Sequence, residues 1–191
     1  MRRKDREMSA EFGLQVIDQA EYGVLAAADP ASDRPYAVPL SLVRRGQTLY
    51  FHSARAGTKV DLLKDGTPVR IVFVAKAAVP GLYEPQEARD LLEGGKGTSF
   101  VTSKVFTTEY SSAIVTGTIR IVEVNEDRDS EYSLALEAVC AKYVPDMMEF
   151  FELALDSAYS TTKVFAVDIE EIKAKRKKFD DNKEELKWQK D

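Results

Sequence analysis

The chain has one histidine, His52, and one cysteine, Cys140, and that scarcity limits the chemistry it can do unaided. A lone histidine excludes most protein-built zinc sites, which need several His or Cys ligands, so no metal site is expected. It also leaves room for at most one Ser-His-Asp arrangement. A lone cysteine excludes an internal disulfide and suits a reducing, cytoplasmic compartment. Any reaction here should therefore draw its reactivity from a bound cofactor. The densest run of functional types is 49–61, LYFHSARAGTKVD. A strand ends at His52-Ser53, a loop with Gly57 follows, and a helix begins near Lys59. Backbone N–H groups at a helix start attract anions. Ser53 and Thr58 add hydroxyls, and Arg55 and Lys59 add charge. The same pattern also suits a solvated connection with ordinary caps. His52 can contact a cofactor or substrate, donate a proton near neutral pH, or simply close a strand with one hydrogen bond. Ser111 and Ser112 open a later strand, where neighbours alternate between faces and one can look into a site. Cys140 and the Met147-Met148 and Phe150-Phe151 pairs read as helix packing.

At 191 residues, 44% hydrophobic and 31% charged, the chain fits one domain with a sizeable core. Its net charge of −5 argues against nucleic acid, whose phosphates need a basic surface. No apolar run approaches membrane-spanning length. The charged opening 1–7 has no apolar stretch behind it, so it is not a secretory signal.

The elements that must position these residues follow from periodicity and punctuation. Helices are expected over 9–20, with Ser9 as N-cap, and over 59–64, 85–93, 127–142 and 147–158. Strands are expected over 22–28, 36–45, 48–52, 68–76, 110–124 and 163–169. Gly46 supplies a hairpin turn. Pro39 demands an edge or a bulge, and Gly117 a bend or a close backbone approach. The glycines over 94–97 lack the spacing of a phosphate loop. No Gly-x-Gly-x-x-Gly is present, so a Rossmann site is unsupported. Residues 1–170 should form one domain. Residues 171–191, eight basic against six acidic, should form a charged tail or solvated helix. Hairpin-linked strands with inserted helices predict an α+β protein built on an antiparallel barrel.

Four stretches carry a resemblance: the opening MRRKDRE (1–7), YGVLA (22–26) with PYAVPL (35–40), LYFHSA (49–54) with GTKVD (57–61), and YSSAI (110–114) with Gly117. Together they resemble the flavin-binding split-barrel proteins related to pyridoxamine 5′-phosphate oxidase, and within them the nitroimidazole-resistance group. The resemblance implies a six-stranded split β-barrel with flanking helices, and a homodimer with flavin at the interface. It implies FMN, with FAD as the alternative, and reduction of a small molecule such as a nitroimidazole. Val38, Pro39, Leu40 and Ser41 would run beside the isoalloxazine. His52, Ser53, Ala54 and Lys59 would sit near the ring and the phosphate, with His52 catalytic, and Ser111 and Ser112 would approach the flavin. A binding module without turnover is the alternative. Pyridoxamine 5′-phosphate oxidation ranks below both, because the arginine-rich signature near the oxidase C-terminus is not evident. Residues 80–104 do not align with the family.

Overall fold

The computed structural model describes residues 3–188. Met1 and Arg2 of the opening motif, and 189–191 of the expected tail, lie outside the described residues. Eight strands form one sheet: β1 (Glu7–Met8), β2 (Gly23–Ala27), β3 (Tyr36–Leu40), β4 (Val43–Arg45), β5 (Thr48–Ala54), β6 (Pro68–Ala78), β7 (Glu109–Val122) and β8 (Thr162–Lys177). Every pairing is antiparallel, in the order β3-β2-β6-β7-β8-β5-β4, with β1 on β8. Six of these strands have five residues or more, as the barrel reading expects. The two-residue β1 and three-residue β4 extend it. The terminal strands β3 and β4 are joined only by Ser41 and Leu42. Three Cα steps reach at most about 11 Å, so the sheet must curl until its ends meet.

Inside the curl, alternate residues of every long strand point inward. Leu25, Phe51, Ile71, Phe73, Val115 and Phe165 form the core with Val16 and Ile17 of α1 (Ala10–Gln19). Burying each large apolar side chain contributes about 1.5–3 kcal/mol. α1 starts at Ser9, whose Oγ accepts from the Phe12 N–H at 3.3 Å.

A second core lies outside the barrel. Tyr50, Val122, Val164 and Ala166 pack against α5 (Glu131–Tyr143) and α6 (Phe151–Thr161), through Tyr132, Leu136 and Leu155. The remaining helices are α2 (Thr58–Leu62), α3 (Pro85–Glu93) and the short α4 (Thr98–Phe100), which runs into a π-helical turn over Val101–Val105.

The expected 36–45 strand is two strands. Its break after Leu40 lets β3 pair with β2 while β4 pairs with β5. Pro39 sits on β3, at the sheet edge, where its missing N–H costs no ladder bond on the open side. Gly117 sits at a bulge in the β7–β8 ladder, where a Cβ would collide with the Asp168 carbonyl. The expected helix over 147–158 begins instead with a 3-10 turn (Pro145–Phe150). The expected boundary at residue 170 falls inside β8, and 171–177 are strand, not tail or helix. Glu171, Lys173, Lys175 and Lys177 sit on one side of a ladder against β7, with buried Ala174 and the side chain of Arg176 on the other.

Candidate functional site

The break between β3 and β4 opens the barrel wall. In the β4–β5 ladder Val43 faces Tyr50 and Arg44 faces Leu49. Continuing that register would set Ser41 opposite His52 and Leu40 opposite Ser53. Among the described residues those pairs do not form. β3 pairs only with β2, and β5 beyond Tyr50 pairs only with β8. Two strand edges thus face each other with backbone donors and acceptors free for a ligand. Val38 and Leu40 point into the core, while Pro39 and Ser41 point out to solvent.

Across the opening stand His52, Ser53 and Ala54. The Ser53 hydroxyl donates to the Ala54 carbonyl at 2.7 Å. The His52 imidazole reaches solvent, yet enough protein surrounds it to matter. Burial, then the charge of Lys59, pushes its pKa below the ordinary histidine value. At neutral pH it is therefore an uncharged group, suited to orienting a partner by hydrogen bonds more than to acting as an acid. Burial likewise lowers Lys59. α2, which carries Lys59, is only five residues long, and Gly57 at its N-cap makes no side-chain cap. The charge of Lys59, rather than a helix end, is what this segment offers an anion.

Ser111 and Ser112 do not join this cluster. Ser112 pairs with Val74 on β6 and Lys175 on β8. Three strand spacings, roughly 14 Å along the wall, separate β7 from β3. Ser112 and Pro39 do share the outer surface. Pro39, Val24, Val72 and Ile114 form one row across four strands, and Val74 and Ser112 lie beside it. Among the described residues no helix covers this half. Val72, Val74 and Ile114 are 38%, 48% and 41% exposed. Sequence reasoning missed this bare face. The signal was in β6, where Val72 and Val74 occupy positions that an ordinary water-facing strand gives to polar residues.

Cys140 is partly buried against the outer core, and burial raises its thiol pKa, so it is packing rather than a nucleophile. Among the described residues no group of three or more His, Cys, Asp or Glu could hold a metal. No helix among the described residues is long and apolar enough to cross a membrane.

No curated protein sequence matches the chain. The family model described as pyridoxamine 5′-phosphate oxidase matches residues 10–82, a span that holds both edges of the opening and Lys59 but neither Ser111 nor Ser112. Similar solved structures include the following three. One is a candidate 5-nitroimidazole antibiotic resistance protein from Bacteroides thetaiotaomicron, 19% identical over 89% of this chain and 86% of that one, TM-score 0.61. Another is a FAD-binding protein from Mesorhizobium loti, 18% identical over 90% and 96%, TM-score 0.55. The third is the FAD and heme binding protein from Mycobacterium smegmatis, 16% identical over 91% and 73%, TM-score 0.61. At these identities the likeness speaks for the fold. Residues 10–82 are thus similar to the pyridoxamine 5′-phosphate oxidase family model, and the chain as a whole shares the antiparallel α+β fold of these solved structures.

Proposed function

We propose that this chain is a flavin-dependent oxidoreductase of the nitroimidazole-resistance type, acting on a small molecule as a homodimer with flavin at the interface. The observation that carries the reading is the unpaired opening between Val38–Ser41 and His52–Ala54, with Lys59 beside it. The residues fit a flavin. Two free backbone edges suit the hydrogen-bonding rim of an isoalloxazine, and Pro39 leaves its edge without an N–H to clash. The partly buried Lys59 ammonium forms no ion pair among the described residues, and it would neutralise a flavin phosphate. When bound, flavin supplies hydride or electron transfer. The chain's part is to hold the ring edge along Val38–Ser41, anchor the phosphate with Lys59 and Ser53, and orient the acceptor with neutral His52. FMN is the proposed form, and the FAD-binding neighbours keep FAD as the alternative.

The bare face of Val72, Val74 and Ile114 supports the homodimer. An exposed apolar patch of this kind marks an interface or a ligand surface. A second copy seated there would bring Ser112, which shares that outer face, toward a flavin held by the first. The test is anaerobic reduction of the flavin-loaded protein by NADH or NADPH, then reoxidation by a nitroimidazole. Repeated turnover with transfer of reducing equivalents to the nitro group is expected. Flavin binding without turnover on any acceptor would leave the binding module as the reading. Formation of pyridoxal phosphate from pyridoxamine phosphate would replace it with the oxidase.

A further inference from the structure

The split opening accounts for Lys59 but not for two further cations, Arg55 and Lys163. Arg55 follows Ala54 at the end of β5, and Lys163 stands opposite Ser53 in the β5–β8 ladder. Both line a cavity of about 280 Å³ at one mouth of the barrel, closed otherwise by the end of β7 and by Thr162. The Arg55 guanidinium is fixed in place: its Nη2 donates to the Tyr159 carbonyl at 2.6 Å. The Lys163 ammonium lies 5.7 Å from the centre of the Phe165 ring. One carboxylate, Glu123, also lines the cavity. It pairs with neither cation, and none of Arg55, Lys59 and Lys163 makes a salt bridge among the described residues. Other cations of the chain are tied to carboxylates, as in Arg6–Glu185, Arg44–Asp18 and Arg120–Glu131, and the chain carries an excess of acid. Two unneutralised cations lining one cavity, Arg55 and Lys163, make a local positive field that an anion would relieve.

We infer that the Arg55–Lys163 cavity is a second phosphate subsite, taking the phosphate ester of a dinucleotide that reaches past the Lys59 position. Arg55, planar and held at one end, offers its remaining N–H groups as a fork for phosphate oxygens. Lys163 adds a point charge. Two sources share this chemistry: the second phosphate of FAD, and the phosphates of a nicotinamide dinucleotide bound beside the flavin. For its neighbour the inference rests on the flavin reading, but the subsite stands on its own residues.

The test compares wild type with the double variant Arg55→Gln/Lys163→Gln, both first shown by thermal melting to be folded, in titrations with FMN, FAD, NADP⁺ and inorganic pyrophosphate. If FAD supplies the phosphate, the double variant binds FAD about tenfold or more weaker, as loss of charge-assisted bonds implies, while FMN affinity changes less than about twofold. If the nicotinamide nucleotide supplies it, FMN and FAD are unaffected and NADP⁺ binding to the FMN-loaded protein weakens by that factor. Either result supports the subsite. Unchanged affinity for FAD, NADP⁺ and pyrophosphate alike would overturn it. Should wild type bind no flavin, the flavin reading fails on its own. Pyrophosphate binding to the unloaded chain then decides the subsite: it must weaken in the double variant.

Discussion

His52 carries a measurable consequence of its surroundings. Burial and the Lys59 charge lower its pKa, so the folded chain prefers the neutral imidazole. The stability tied to that preference is complete above the ordinary pKa of about 6.5 and is lost as pH falls through the lower folded value. Because the chain has one histidine, a proton NMR titration reads it without assignment. The midpoint should lie below the ordinary value and rise in Lys59→Met. A midpoint at or above 6.5, or one indifferent to that substitution, would contradict this account. At this scale the candidate site was legible in two short contiguous segments, His52–Lys59 from its residue types and Val38–Ser41 from the family resemblance. Lys163 was not. It is 108 residues beyond Arg55 in number, and only the β5–β8 ladder brings the two to one cavity.

Elements were legible wherever a local signal sets their bounds. The Ser9 cap places α1, Pro85 and Gly94 bracket α3, and Gly46, at φ +61°, turns β4 into β5. Pro39 and Gly117 asked for an edge and a close approach, and the sheet provides both. The break after Leu40 was not legible. Nothing in VPLSLV says that one run of strand-forming residues divides between two partners; closure of the barrel decides it. The end of β8 was hidden because Lys173, Lys175 and Lys177 suggest a solvated tail, while the alternation of Ile172 and Ala174 is what the ladder uses. Gly117→Ala tests the bulge. Its Cβ would press on the Asp168 carbonyl and on Val167, and overpacking of this kind costs about 1–3 kcal/mol. Thermal or urea unfolding should show that loss. Equal stability would mean that the β7–β8 bulge does not need glycine.

At the scale of the whole molecule, helices cover the outer wall on the β5–β8 half and leave β2, β3 and β6 bare. Ile114→Glu on that bare face should convert the proposed dimer to monomer in sedimentation equilibrium and weaken flavin binding, with the fold retained. A dimer that persists would move the interface elsewhere. The chain ends are tied together separately. Arg6 donates to Glu185 through two bonds of 2.7 and 2.9 Å, and Lys187 stands 3.1 Å from the same carboxylate. Burial alone would raise Glu185, but these cations overcome it and hold its pKa down to about 2. The pairing stabilises the fold above the ordinary carboxylate value and is lost as pH falls toward 2. Glu185→Gln should therefore lower the melting temperature at pH 6 and flatten its decline between pH 5 and pH 3. Parallel curves for the two proteins would remove Glu185 from that account. This clasp joins segments at opposite ends of the chain, and composition could show only that the tail carries both signs of charge.

The central claim is that the opening between β3 and β5 holds a flavin. It is tested most directly by titrating the purified protein into FMN and FAD and following the visible flavin spectrum and fluorescence, with Lys59→Met alongside. The account predicts saturable, stoichiometric binding with a perturbed spectrum, weakened about tenfold by the loss of the Lys59 charge. A spectrum identical to that of free flavin at every protein concentration would contradict it.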